Sequence, residues 1–363
     1  MKHLILFVSG LLLCLNTQAQ LKPGFDIQEY LEMLRISRQQ VDTAMKNDHV
    51  PKPQTYHMIY RSAVGPLNNR WDLWINNHQT AVISIRGTTA ENVSWLENFY
   101  AAMVPATGHL HIDDTTTFNY HLADNPRAAV HIGWLLGLAN LSKTIVPQIT
   151  KLYREQNIHD FIIMGHSQGA AISFLLRSYL ADLQQRKQLP ADIRFKVYSS
   201  APPKPGNTYY AYAYNYLTRG GWGIAITNAA DWVPETPFSI QTVHDFNTLN
   251  PFSNINEGTK NQSLLIRLYI KHVYNRLAKP PVRAVKNNQK YLGHLVYKFI
   301  KKTLPQFTEP AYAPTNLYVS CGTPIILMPN ADYRQKFPDD TKNVFTHHLF
   351  WPYYYLAEKE YAH

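Results

Sequence analysis

The chain has only two cysteines, Cys14 and Cys321, and the first falls inside an N-terminal apolar run. So few thiols exclude the disulfide framework that holds small secreted domains together. Stability must come from a hydrophobic core, which a chain of 363 residues is long enough to bury. Cys321 lies between apolar stretches and is expected to be a buried, inert thiol. Membrane-spanning runs are absent as well. Leu4 to Leu15 is apolar but shorter than the ~20 residues a bilayer span requires, and no later stretch is apolar enough to cross. That run follows Met1-Lys2-His3 and precedes Thr17-Gln18-Ala19. A basic start, a short apolar middle and small residues at the end make residues 1–19 a signal peptide, cut after Ala19. A membrane anchor is the competing reading, disfavoured by length, and a lipid-modified Cys14 is disfavoured by the bulky Leu13 before it. The expected location is the periplasm or the outside of the cell. Low-complexity tracts, repeats and clear linkers are also missing, so residues 20–363 read as one domain.

Acidic residues are missing from one place in particular. Between Glu257 and Glu309 there are none, while eleven lysines and arginines occur there, enough to account for the whole net charge of +10. This segment falls within an insertion from about 238 to 314. Leu292, Leu295, Val296, Phe299 and Ile300 share one helical face beside Lys290, Lys298, Lys301 and Lys302. Such a helix either packs its apolar face on the protein or rests on an anionic membrane surface, and the candidate contact is residues 260–302. Nucleic acid is not expected as a partner, because the chain reads as exported and carries no recognition motif. The oligomeric state is not legible.

Elsewhere strands and helices alternate. Asp26 with Glu29 resembles a capping box opening a helix. Tyr56–Arg61, Arg70–Ile75, Thr80–Ile85, Phe195–Ser199 and Ile224–Thr227 read as strands, and Leu317–Met328 as two short ones turning at Gly322. His131–Leu152 reads as a helix broken or kinked at Pro147. The pattern predicts an α/β fold around a mostly parallel central sheet flanked by helices.

The most specific stretch is FIIMGHSQGAAISFLLRSYL, residues 161–180. Phe161–Met164 is a short buried strand, and Ile172, Leu175, Leu176, Tyr179 and Leu180 recur at helical spacing. Ser167 therefore sits on a sharp strand-to-helix turn, the geometry of a nucleophile elbow, with Gly165 and Gly169 keeping side chains out of the tight packing and His166 as elbow support. A serine hydroxyl needs a base within hydrogen-bond reach to become a nucleophile. The N–H of Gln168, close to the helix N-terminus, faces the developing oxyanion.

Four ordered segments carry a family resemblance. AVISIRGT (81–88), NVSWLENFYA (92–101) at the expected distance after it, AVHIGW (129–134) and VYSSAPPKPGN (197–207), with the GHSQG turn (165–169) among them, together resemble the class 3 lipases, the fungal-lipase-like branch of the α/β-hydrolases. The likeness spans most of 56–237 and resumes near 316–356. It departs from the family at Gln168 and Ala170, where Leu and a second Gly are usual, which bears on substrate preference. The resemblance implies an α/β-hydrolase fold with a helical basic insertion before the catalytic histidine. It implies a triad in the order serine, acid, base: Ser167, then Asp231 in NAADWVPETP, with Asp245 the nearest acidic alternative, then His348, with its neighbour His347 as alternative. Thr88 becomes the first oxyanion donor, beside Gln168. His131 is expected to be a buried support, and Tyr100–Gly108 corresponds to the lid region of relatives. No metal and no cofactor are expected; the spacing of His109, His111 and Asp113 is too common to imply a metal site. The activity implied is hydrolysis of lipid carboxylic esters. The alternatives are a cutinase-like esterase for short or polymeric esters, or a catalytically silent lipid-binding surface protein.

Overall fold

The protein is described here as a computed structural model covering residues 21–41, 49–252 and 255–361. The signal peptide expected over residues 1–19 lies outside the described residues.

The run Asp160–His166 is apolar at successive positions, the pattern of a strand covered on both faces, and all of it is buried. It is the central strand of a seven-stranded sheet. The strands are β1 (Tyr56–Arg61), β2 (Trp71–Asn76), β3 (Thr80–Ile85), β4 (Asp160–His166), β5 (Arg194–Ser200), β6 (Gly223–Asn228) and β7 (Thr323–Leu327). They lie side by side in chain order. The β1–β2 and β2–β3 pairs are antiparallel, and every pair from β3 to β7 is parallel. The helices are α1 (Ile27–Arg38), α2 (Asn92–Phe99), α3 (Ile132–Gln156), α4 (Gln168–Gln185), α5 (Thr208–Leu217), α6 (Leu264–Asn288), α7 (Val296–Thr303) and α8 (Phe350–Tyr361), with shorter turns between them. Phe161 and Ile163 join Leu73, Ile83 and Val197 in a core beneath α3 and α4. Ile162 and Met164 point the other way and join Val82, Tyr198 and Ile226 beneath α1 and α8. This is the α/β-hydrolase architecture expected from the sequence.

Several local expectations are revised. The capping box of α1 is half made. The Asp26 carboxylate accepts the Glu29 N–H at 2.8 Å, but the Glu29 side chain pairs with Lys196 and accepts the Tyr198 hydroxyl at 2.7 Å. Lys196 is buried, and a buried ammonium requires a partner more than a helix end does. Helix α3 continues through Pro147 to Gln156 and stops at Asn157, which adopts the left-handed conformation (φ 54°). Of the two late strands only β7 forms. The open edge of β6 accepts one strand, and the residues before Gly322 bridge elsewhere, Val319 to Gly206 and Asn316 to Ile240.

The insertion is helical through α6, a π-helical stretch Gln289–Leu295 and α7. Its expected apolar face divides. Gly293, Val296 and Ile300 are buried, whereas Leu295 and Phe299 are exposed, because the helix meets the body along one narrow row of i, i+3, i+7 positions. The segment compared with a lid is built into the body. Tyr100 to Val104 are buried, Met103–Pro105 pairs with Ala129–His131, and Thr107–His111 pairs with Thr117–His121.

Candidate active site

Between β4 and α4 the chain turns through Ser167 at φ 60° and ψ −129°, a strained conformation for a residue with a side chain. The turn is tight enough to exclude side chains on both sides. A Cβ at Gly165 would lie 2.2 Å from the Gly169 carbonyl oxygen, and one at Gly169 would lie 2.3 Å from that of Ile85. Ser167 is thereby held half-exposed above the C-terminal edge of the sheet, with its N–H donating to the Ser200 carbonyl at 3.0 Å.

The 3₁₀ turn Thr346–His348 brings the His348 imidazole to this hydroxyl, with Nε2 2.8 Å from Ser167 Oγ. Its Nδ1 lies 2.7 Å from Oδ2 of Asp231, which follows the end of β6. With Nδ1–H donating to the carboxylate, Nε2 is left to accept the serine proton. Asp231 is buried, which by itself would favour the neutral acid. The hydrogen bond and charge of His348, the Val233 N–H at 3.0 Å and the Tyr353 hydroxyl at 2.8 Å outweigh this and hold its carboxyl below the usual carboxylate range.

His347 lies on the other side of the turn. Its Nδ1 meets the Tyr333 hydroxyl at 2.7 Å and its Nε2 the Asp339 carboxylate at 2.9 Å. Asp245 is likewise engaged elsewhere, accepting from Thr242 at 2.7 Å and from the Thr315 hydroxyl at 2.6 Å. His166 lies beneath the elbow. Its Nε2–H donates to the His348 carbonyl at 2.7 Å, and its Nδ1 accepts from Ser200, whose hydroxyl in turn meets Tyr30. Burial, reinforced by the nearby His348, pushes its pKa down to about 3. A neutral His166 thus ties the turn that carries His348 to the residue preceding Ser167.

Thr88 follows β3, beside the elbow, and Gln168 opens α4, so the Gln168 N–H has no carbonyl a turn earlier within the helix. One residue that sequence reasoning missed joins the two. Asn98, near the end of α2, donates to Thr88 Oγ1 at 2.8 Å and accepts from the Gln168 side chain at 3.0 Å and the Trp134 indole at 3.0 Å. This gives Gln168, the departure from the family's usual Leu, a structural use. It also leaves the Thr88 hydroxyl proton free to point at a substrate oxygen. The legible signal was the distance of NVSWLENF from the Arg-Gly-Thr loop. His131 supports this segment from below, with Nε2–H donating to the Asn98 carbonyl at 3.1 Å and its ring stacked on Trp134 at 3.7 Å. Burial pushes its pKa down to about 3.

Glu97, next to Asn98, is also buried. It accepts from the Asn69 amide at 2.8 Å, and burial raises its pKa well above the usual range, so that it is held as the neutral acid. Around the imidazole lies an aromatic rim. Phe345 sits 6.0 Å from the His348 ring, 5.8 Å from Trp95 and 5.3 Å from Trp232.

Among the described residues no group of three His, Cys, Asp or Glu is placed to hold a metal ion. His109 and His111 stand ring to ring, and Asp113 instead accepts from Thr115. Cys321 is buried, and burial pushes its thiol pKa up. Chemically, a serine hydroxyl backed by an imidazole and a buried carboxylate, at the start of a helix, is equipped for acyl transfer.

The family model described as Lipase (class 3) matches residues 82–241, a span that includes Thr88, Asn98, the elbow and Asp231. No curated protein matches the sequence. Among solved structures the chain is similar to a fungal lipase in an inhibitor complex, at 18% identity over 58% of this chain and 74% of that one, with a TM-score of 0.44. It is similar to the triacylglyceride lipase of Rhizomucor miehei at 18% identity over 60% and 77%, with a TM-score of 0.43. Lipase II from Rhizopus niveus shows 19% identity over 58% and 74%, with a TM-score of 0.42.

Proposed function

We propose that this protein, a carboxylic ester hydrolase resembling the class 3 lipases, is exported and cleaves lipid esters through an acyl-enzyme on Ser167. The observation that carries this reading is the continuous hydrogen-bonded path from the Ser167 hydroxyl through His348 to Asp231. In the proposed reaction Ser167 Oγ attacks the ester carbonyl carbon while His348 Nε2 takes its proton. Asp231 orients the ring and stabilises the imidazolium. The oxyanion receives hydrogen bonds from the N–H groups of Thr88 and Gln168 and from the Thr88 hydroxyl. His348 then returns the proton to the departing alkoxide. Water, deprotonated by the same imidazole, attacks the acyl-serine and releases the carboxylic acid.

Lipid esters are preferred to small soluble ones in this reading because Trp95, Trp232 and Phe345 give the mouth an apolar rim suited to an acyl chain. Removal of residues 1–19 would release the enzyme outside the cytoplasm, and its contact with anionic lipid surface falls within residues 260–302.

The test is hydrolysis of p-nitrophenyl esters of increasing chain length by the mature protein and by Ser167→Ala. The expected result is a drop in kcat of about 10⁵- to 10⁶-fold in the variant, with higher kcat/KM on long chains than on short ones in the wild type. Undiminished turnover by Ser167→Ala would refute the mechanism, and a preference for the shortest esters would favour the cutinase-like reading. Asn98→Ala is expected to lower kcat by about tenfold to a hundredfold at nearly constant KM, since it loosens two proposed oxyanion donors without removing either. A rise in KM alone would place Asn98 in substrate binding instead.

A further inference from the structure

The first turns of α6 are apolar and in water. Leu264, Leu265, Leu268, Tyr269 and Leu277 are 68%, 79%, 56%, 70% and 71% exposed, and of the helix's residues only Val285 is buried. At helical spacing Leu265, Ile266, Tyr269, Val273 and Leu277 fall within about 120° of arc. Arg267 and Lys271 occupy the opposite side, Lys279 lies about 40° beyond one edge of the arc and Arg276 falls within it, and Leu264 and Leu268 carry apolar surface around the N-terminal turns. A surface helix normally turns such a stripe toward the core. Here the stripe faces away from the body. No helix among the described residues is long and apolar enough to cross a membrane, so α6 fits a position on a bilayer and not through it.

We infer that α6 docks the enzyme on lipid surfaces bearing anionic headgroups, an inference that deepens the proposed lipid-ester hydrolysis and rests on it. The charge pattern selects this occupant. Between Glu257 and Glu309 there are eleven basic residues and no acidic one, and of the eleven Lys260 pairs with the flanking Glu257. A second copy packed stripe to stripe would bring two such faces together and meet like-charge repulsion. An anionic headgroup layer instead neutralises the lysines while the leucines enter its apolar boundary.

The base of the helix is fixed next to the mouth. The Leu292 carbonyl accepts the Ala102 N–H at 3.2 Å, Gln289 donates to the Ala313 carbonyl at 2.8 Å, and Val296 and Ile300 are buried against the body. Ala102 lies just beyond α2, the helix that carries Trp95, Asn98 and Phe99. Docking through α6 therefore sets the rim down where acyl chains are available.

The experiment is cosedimentation with phosphatidylcholine vesicles, with and without phosphatidylglycerol. It compares the wild type, Lys271→Glu/Arg276→Glu/Lys279→Glu and Leu265→Ser/Tyr269→Ser/Leu277→Ser. Thermal midpoints close to that of the wild type show that both variants keep the fold. The wild type is expected to bind the anionic vesicles and to be released by salt, and each triple variant to bind about tenfold or more weakly. Binding is also read on Ser167→Ala, where it should persist, so that a failure of the hydrolase reading is distinguishable from a failure of docking. Equal binding to neutral vesicles, or binding insensitive to both triple variants, overturns the inference. So does a wild-type dimer that Leu265→Ser/Tyr269→Ser/Leu277→Ser makes monomeric, or a wild type that ignores vesicles and binds polyglutamate.

Discussion

His348→Ala is expected to lower kcat on a soluble ester by about 10⁵-fold, while His347→Ala leaves it within a few-fold. The two imidazoles are adjacent in sequence and occupy different environments. His348 spans Ser167 and Asp231, so its loss leaves the hydroxyl without a base and the buried carboxylate without its principal donor. His347 spans Tyr333 and Asp339, and its side chain hydrogen-bonds to neither Ser167 nor Asp231. Removing it costs two hydrogen bonds at roughly 0.5–1.5 kcal/mol each, with Asp339 already largely exposed to water. The measurable consequence is a lower thermal midpoint. The double variant Ser167→Ala/His348→Ala should be no slower than either single one, because residues that act as a unit are not additive. Equal losses from the two histidine variants would mean that the turn's position, and not the His348 ring, limits catalysis.

Folding stability is expected to fall as the pH drops below about 6.5, and Glu97→Gln to make that fall steeper. His131 and His166 titrate near 3 in the fold, while an unfolded chain protonates them at about 6.5. Their stabilising effect is complete above that pH and is lost as the pH falls. Glu97 behaves oppositely. Burial holds its proton in the fold, so its contribution is complete below the unfolded value of about 4.3 and is lost as the pH rises. Between about pH 4.5 and 6.5 the unfolded chain binds up to two extra protons on the histidines, so stability rises with pH. The proton that the fold retains on Glu97 opposes this rise. Below this window the Glu97 contribution is saturated and the lowered carboxyl of Asp231 joins the histidines, so the acid limb steepens. Urea unfolding of the wild type and of Glu97→Gln at pH 5 and 6.5 checks this. A wild type no less stable at pH 5 than at 6.5, or a fall no steeper in Glu97→Gln, would overturn the expectation.

The serine turn was legible because it depends on neighbours. Ser167 requires a strand, two glycines and a helix within a short stretch of chain, and these leave a pattern in the order of residue types. The strands were readable for the same reason, with β1 and β3 found at their predicted bounds. Basic charge without acidic compensation is also a local property of residues 258–308. The two histidines were not separable in this way. His348 meets Asp231 across 117 residues, and which of two neighbouring rings faces it depends on how a 3₁₀ turn is held by His166 and Asn228.

Asn98 and Glu97 show the same limit. Each is an ordinary polar residue in a short helix, and one joins Thr88 to Gln168 while the core around the other raises its pKa well above the usual range. The apolar residues of the insertion divide likewise, since periodicity records which side chains share a face but not which face the body covers. What the sequence by itself determined was the turn, the strands and the order of candidate chemistry, all set by short-range sterics and hydrophobic spacing. Which histidine faces the serine, how Thr88 and Gln168 are joined through Asn98 and where α6 turns its leucines were decided only by the tertiary structure, because they depend on distance and solvent access between segments far apart in the chain.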